Sequence, residues 1–213
     1  MNLFENNNWE EKLQPLIDLY RDKKHPLAYD NIYQLMVMVV LSAQDSDANI
    51  NKIAPGFFQK YPDFESLSTA SFETLFPLVN KVRNFNTKSS WLIEIAQTLK
   101  KDDNIPTNLP ELTALKGIGR KSANVIMREM KVPAEGIIAD LHVIRVAPRI
   151  GLVTESNDGN KIEKQLMQVL PKSIWGEIGM AISFLGRETC RPTNPKCNNC
   201  PIQNDCLYPL KTI

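Results

Sequence analysis

Apolar residues recur along this chain at helical spacing, and the elements they predict are helices from one end to the other. Trp9, Leu13, Leu16, Ile17 and Tyr20 line one face of an amphipathic helix over residues 8–21, which needs a partner surface; His25-Pro26 breaks it. Residues 31–43 are apolar nearly all round, which predicts a central helix buried by several neighbours. Its polar end runs Leu41-Ser42-Ala43-Gln44-Asp45-Ser46-Asp47, with Asp47 placed to cap a helix over 48–59. Short helices follow over 64–67 and 71–76 and a longer one over 88–99, with residues 84–88 as their connection. Leu109-Pro110 opens a helix over 111–115, and residues 122–130 form another that Val132-Pro133-Ala134-Glu135-Gly136 ends. Asp140 precedes an apolar-periodic segment over 141–146, which Pro148 should kink or end. The last two helices are expected over 158–170 and 174–185, separated by Pro171, with no internal repeat and no low-complexity linker.

At 213 residues the chain can bury a sizeable core as one domain or two small ones. Its formal net charge is only +1, so any grip on nucleic acid must come from a local basic surface rather than a global field. No apolar run reaches membrane-spanning length. The N-terminus, with Glu5 and Trp9-Glu10-Glu11 and no basic-then-apolar leader, is not that of a secreted protein, so the expectation is an intracellular one with no membrane partner. All four cysteines, Cys190, Cys197, Cys200 and Cys206, fall in the last stretch, which in a reducing compartment argues against a disulfide framework. Four thiolates on a short, proline-containing loop can wrap zinc or a [4Fe–4S] cluster. A structural zinc site generally pairs two tight Cys-x2-Cys units, and only Cys197 and Cys200 form one here, which favours the cluster.

The densest chemistry lies in Leu115-Lys116-Gly117-Ile118-Gly119-Arg120-Lys121-Ser122. Two glycines one residue apart allow a tight hairpin whose backbone can approach another molecule closely. The helix that follows aims N–H groups at the same point, a sequence-independent way to hold a phosphate. Lys121 falls in the first turn of that helix, where the macrodipole works against a second positive charge and favours the neutral, nucleophilic amine. By itself Asp140 reads as an ordinary N-cap and His142 as a structural hydrogen-bond partner.

Leu-Lys-Gly-Ile-Gly-Arg-Lys, followed by Val-Pro-Ala-Glu-Gly and then Asp140, resembles the helix-hairpin-helix DNA glycosylases, and among them the endonuclease III-like enzymes. The likeness runs from about residue 31 to the last cysteine. It includes Leu-Ser-Ala-Gln-x-x-Asp at 41–47 and Gly-Arg-x-Thr-Cys before a Cys-x6-Cys-x2-Cys-x5-Cys loop. By resemblance, Lys121 attacks the sugar and Asp140 is essential, with His142 beside it. Gly117, Gly119 and Arg120 grip DNA backbone, Gln44 reaches into the base stack and Asp47 lies near the active site. The four cysteines carry a [4Fe–4S] cluster in a structural and DNA-docking role, and Arg191 and Lys196 are presented between its first two ligands as phosphate contacts. The chain departs from the pattern at one place. Where the family has a glycine, an apolar wedge, an aromatic and Asn-x-Lys, residues 83–88 give Arg83, Asn84, Phe85, Asn86, Thr87 and Lys88, so either Phe85 or Arg83 replaces the wedge or a different lesion is opened. Lys116 stands where the family commonly has proline, adding a cation near the expected phosphate.

The expected fold is therefore all-α: two helical lobes around a DNA-binding cleft. Residues 30–130 form the lobe with the helix-hairpin-helix motif, and 1–29 with 131–213 form the other, with the cluster loop over 190–206. The resemblance implies a monomeric bifunctional DNA N-glycosylase and apurinic/apyrimidinic lyase. It would remove oxidised pyrimidines from double-stranded DNA in the cytoplasm or nucleoid of a bacterium or archaeon. A glycosylase of the same fold for a mismatched or otherwise modified base, and a non-catalytic DNA-binding module, are the alternatives. Against the latter stand Lys121 and Asp140 together, which phosphate binding alone does not require.

Overall fold

The computed structural model describes residues 8–211, and the reading of the N-terminus at Glu5 lies outside them. Among the described residues the regular elements are all helical. In chain order they are α1 (Trp9–Tyr20), α2 (Ile32–Ser42), α3 (Asp47–Lys60), α4 (Phe64–Ser68), α5 (Phe72–Val79) and α6 (Phe85–Leu99). The hairpin helices α7 (Leu109–Ala114) and α8 (Arg120–Glu129) follow, then α9 (Leu141–Ile150), α10 (Gly159–Val169) and α11 (Trp175–Glu188). No helix among these is long and apolar enough to cross a membrane. The chain divides into two compact units, Lys24–Val132 and a second made of the N-terminal segment through Lys23 with Pro133 onwards. Residues 24–29 belong to the first unit because Asn51 on α3 clasps them, accepting from the Ala28 N–H and donating to the Pro26 carbonyl.

In the unit Lys24–Val132, α2 is the axis, packed by α3, α6 and α8. Its all-round apolar sequence is matched by burial of every residue from Leu35 to Leu41, each 4% exposed or less. Tyr33 shows how a polar tip is accommodated there: its ring meets Phe64 edge-on at 4.8 Å while its hydroxyl donates to the Tyr61 carbonyl at 2.7 Å. Two helix starts differ from the sequence expectation. Ser46, not Asp47, caps α3, its hydroxyl accepting from the Asn49 N–H, and Asp47 is the first helical residue. The segment 84–88 is not a connection, because α6 already begins at Phe85; Asn84 precedes it in a left-handed conformation, φ 57°, with no side-chain cap bond.

In the other unit, α11 is the axis, with α9 and α1 against it. Glycines permit the approach: a Cβ on Gly186 would stand 2.8 Å from the His142 Cβ, and one on Gly179 would stand 2.6 Å from the Ile138 carbonyl. Leu13, Leu16 and Ile17 bury the inner face of α1, and the Tyr20 ring lies 5.5 Å from Phe184. Pro148 does not end α9 where it stands. The helix runs two residues further and closes on Gly151, φ 97°, whose N–H bonds the Ala147 carbonyl while the Leu152 N–H bonds it as well.

Candidate functional site

The hairpin is built as its sequence demands. Asn108 caps α7, and the Leu115 carbonyl accepts from the Ile118 N–H at 3.2 Å to close the turn. Of the two glycines, Gly117 is the one the protein's own packing requires, with φ +83° and a Cβ that would fall 2.6 Å from the ring of Trp91 on α6. Gly119 has an ordinary backbone, caps α8 and has nothing within 4 Å of where a Cβ would be, so its bare surface faces outward. Arg120 and Lys121 follow as the exposed first residues of α8, whose next turns, Ala123 to Met127, are buried. Lys116 does not stand free as a cation at the turn: its ammonium pairs with Glu94 at 2.9 Å, an exposed contact worth little to stability.

Two further loops of the same unit are tied to one another. Gln44 and Asn84 are both left-handed, φ 58° and 57°, both exposed, and the Asn84 amide donates to the Gln44 carbonyl oxygen at 3.4 Å. Asp45 holds the backbone beneath them. Its Oδ2 accepts from the Arg83 N–H at 2.8 Å, and its Oδ1 accepts from the Ser46 N–H at 2.8 Å and the Asn49 amide at 3.0 Å. Burial raises its pKa, but those three bonds prevail and keep the carboxyl below its usual range. Lys88, a candidate DNA contact at the end of the Asn-x-Lys segment, is 2% exposed, and its ammonium donates to the Leu41 carbonyl at 2.7 Å. It therefore anchors the end of α2, and burial pushes its pKa down. Phe85 is half-buried, with Phe72 stacked at 6.3 Å and Phe76 edge-on at 5.5 Å, so its ring is engaged within its own unit, whereas the Arg83 side chain is exposed.

Asp140 belongs to the other unit. It is the N-cap of α9, its Oδ1 accepting from the His142 and Val143 N–H groups at 2.9 Å each. Its Oδ2 accepts from the Ser183 hydroxyl on α11 at 2.6 Å, a partner the linear motif does not reveal. His142 Nδ1 lies 3.4 Å from the Arg145 guanidinium. Arg145 also donates to the Gly186 and Cys190 carbonyls, and burial pushes its pKa down. One turn on, Arg149 donates to the Arg191 and Pro192 carbonyls and to Cys190 Sγ, with its guanidinium over the Tyr208 ring. These two arginines stitch α9 to the cysteine loop, and only their four-residue spacing on a helix hinted at it.

All four cysteines line one pocket together with Ile150, Leu185 and Ile202, and none of them is paired in a disulfide. Among the described residues, no group of three or more His, Cys, Asp or Glu is gathered tightly enough to hold a metal ion. Burial pushes the Cys200 and Cys206 thiols up, and the neighbouring cysteines add to it. Arg191 and Lys196 are exposed on the loop.

The hairpin, its lysine and the capped aspartate lie in a chain similar to known proteins. Residues 37–172 match the family HhH-GPD superfamily base excision DNA repair protein, well over half of the chain. The chain belongs to that superfamily. Endonuclease III of Synechocystis sp. is 31% identical over 92% of this chain and 90% of its own. That of Rickettsia prowazekii is 33% identical over 88% of each. A solved structure of a non-covalent endonuclease III–DNA complex superposes with a TM-score of 0.80 at 30% identity, covering 93% of this chain and 94% of that one. A thermostable thymine-DNA glycosylase, at 17% identity and a TM-score of 0.78, shares the fold. This HhH-GPD protein is thus a base-excision repair enzyme, a DNA glycosylase and apurinic/apyrimidinic lyase of the endonuclease III type.

Proposed function

We propose that the enzyme removes oxidised pyrimidines from double-stranded DNA and nicks the strand at the abasic site, with Lys121 as nucleophile. The observation that carries this is the placement of Lys121: an exposed amine in the first turn of α8, directly after a hairpin that Gly117 alone can form against Trp91. The hairpin N–H groups and Arg120 hold the backbone phosphate, and the damaged nucleotide leaves the stack to be reached. Lys121 Nζ bonds to C1′ of the deoxyribose as the C1′–N bond breaks, and the base departs with the bonding electrons and a proton. Loss of the second amine proton and opening of the sugar ring give a Schiff base. The imine acidifies the C2′ proton, whose removal expels the 3′ phosphate by β-elimination. Asp140 stabilises the positive charge developing at C1′ or takes the proton from Lys121. Fixed by two N–H donors and the Ser183 hydroxyl, its carboxylate needs no reorganisation to do so.

Gln44 and Asn84 enter the space of the displaced nucleotide, His142 and Asp47 line the site, and Arg191 and Lys196 contact phosphates. Cys190, Cys197, Cys200 and Cys206 would hold a [4Fe–4S] cluster, which supplies a rigid loop rather than chemistry. The four line one pocket, and the single Cys-x2-Cys pair, where a structural zinc site generally has two, supports the cluster over a zinc ion. The enzyme acts as a monomer on DNA in the cytoplasm or nucleoid of a bacterium or archaeon, in line with its bacterial relatives. A second reading, a mismatched or otherwise modified base as target, has one observation in its favour: an exposed asparagine where a wedge would be apolar.

Borohydride trapping tests the proposal. Purified protein and Lys121→Ala are incubated with duplexes carrying an abasic site or thymine glycol. A covalent adduct on both with wild type and on neither with the variant is the expected result. An adduct on the abasic duplex alone moves the target to other bases, and an undiminished adduct with Lys121→Ala removes the lysine mechanism.

A further inference from the structure

Left-handed backbone in residues other than glycine is costly and persists only where the surroundings enforce it. Gln44 and Asn84 are two such residues, in loops forty residues apart, exposed and joined amide to amide. What enforces them is a polar lattice. Asp45 takes the Arg83 N–H with one oxygen and the Ser46 N–H and Asn49 amide with the other. Asn49 donates in turn to the Lys81 carbonyl, and Lys88 fixes Leu41 from below. The loops bearing Gln44 and Asn84 are thereby one rigid piece whose tip is a pair of amides with donors and acceptors turned to solvent.

We infer that Asp45 is a positioning residue that holds Gln44 and Asn84 as one hydrogen-bonding element, and that this element reads the base left opposite the lesion. The inference rests on the proposed function. An apolar wedge fills the vacated space without regard to the opposite base. Two amides fill less of it and must satisfy their own polar groups, so they favour the base whose Watson–Crick edge matches them and penalise the others. The Phe85 ring lies against Phe72 and Phe76, and the amide pair is the hydrogen-bonding group presented at the two loop tips.

The test is fluorescence anisotropy on duplexes carrying a tetrahydrofuran abasic analogue opposite each of the four bases, with an undamaged duplex as reference. Wild type, Asp45→Ala, Asp45→Asn and Asn84→Leu are compared, each checked for its fold by thermal melting. Wild-type affinities are expected to spread about tenfold with the opposite base, the size of one hydrogen bond made or left unmade. Asp45→Ala collapses the spread to about twofold or less and weakens every complex, and Asp45→Asn, which keeps one acceptor, falls between. Asn84→Leu loses the spread with the opposite base, and it decides the matter if Asp45→Ala does not fold. A wild-type spread retained in Asp45→Ala or in Asn84→Leu, or no spread in wild type, overturns the inference. Wild type binding the abasic duplexes no more tightly than the undamaged one would sink the proposed function itself, and this inference with it.

Discussion

Replacing Ser183 by alanine removes one hydroxyl and nothing else from a site with no solvent access, since Ser183 is 0% exposed. Its hydroxyl donates to Asp140 Oδ2 at 2.6 Å, one of three bonds to that carboxylate; the other two, to Oδ1, come from backbone and survive the change. A hydrogen bond to an ionised group contributes about 1.5–3 kcal/mol, and the half-buried carboxylate places this one near ~2 kcal/mol. For a chain of this size that lowers Tm by about 4–8 °C. The carboxylate keeps its cap on α9 but can tilt about the Oδ1 bonds, so a charge it is meant to face is met less well. The single-turnover rate of nicking an abasic duplex should fall about tenfold, or ~1.4 kcal/mol of barrier. Asp140→Asn, which removes the negative charge itself, should fall further. Melting by circular dichroism and quenched-flow nicking measure the two effects separately. A Tm that drops while the rate stays within twofold would show that Ser183 merely joins α9 to α11, and the argument that it orients a catalytic carboxylate would be wrong.

Two other consequences are open to measurement. Lys88→Met leaves the Leu41 carbonyl without its buried donor and should cost about 1–3 kcal/mol of stability. Because the Lys88 ammonium is buried on the Leu41 carbonyl, the slope of log affinity for DNA against log salt should not change, and a slope reduced by about 1 would place Lys88 on the contact surface. His25 Nδ1 accepts from the Leu27 N–H; burial lowers its pKa, Glu129 and Asp47 oppose that, and Lys121 and Arg128 add to it. A folded pKa below the unfolded one means that the unfolded chain binds the extra proton first, so stability is full above about pH 6.5 and falls as pH drops below it. His25→Asn, which keeps an acceptor for Leu27, should flatten Tm between pH 7.5 and 5.5, and an unchanged slope would locate the pH dependence elsewhere.

The helices were legible because burial imposes a period, and α2, apolar on every side, could be read as the axis of its unit from residues 31–43 alone. The hairpin was legible for a different reason: a positive φ beside a packed ring admits only glycine, and Gly117 carries that requirement in its name. What escaped is what joins distant segments through hydrogen bonds. Asp45 looks like one more polar residue in a loop and Ser183 like a small residue on a helix, since neither the Arg83 N–H nor the Asp140 carboxylate is near them in sequence. Lys88 is a further case, since only the fold shows the Leu41 carbonyl that draws its ammonium inward.

Those long-range bonds also bear on the departure at Arg83-Asn84. The resembled pattern has a glycine at the first position and an apolar residue at the second, and the left-handed residue of this turn is the second, Asn84, φ 57°. This chain has neither, and an arginine with its N–H pinned by Asp45 and an asparagine bonded to Gln44 stand instead. Without the Asp45 carboxylate the turn would lose its anchor and the amide its orientation. Asn84→Gly, which suits the left-handed backbone, should therefore reduce the turn's dependence on Asp45: the Tm lost on Asp45→Ala should be smaller in that background, and an equal loss in both would show that Asp45 does not hold the turn.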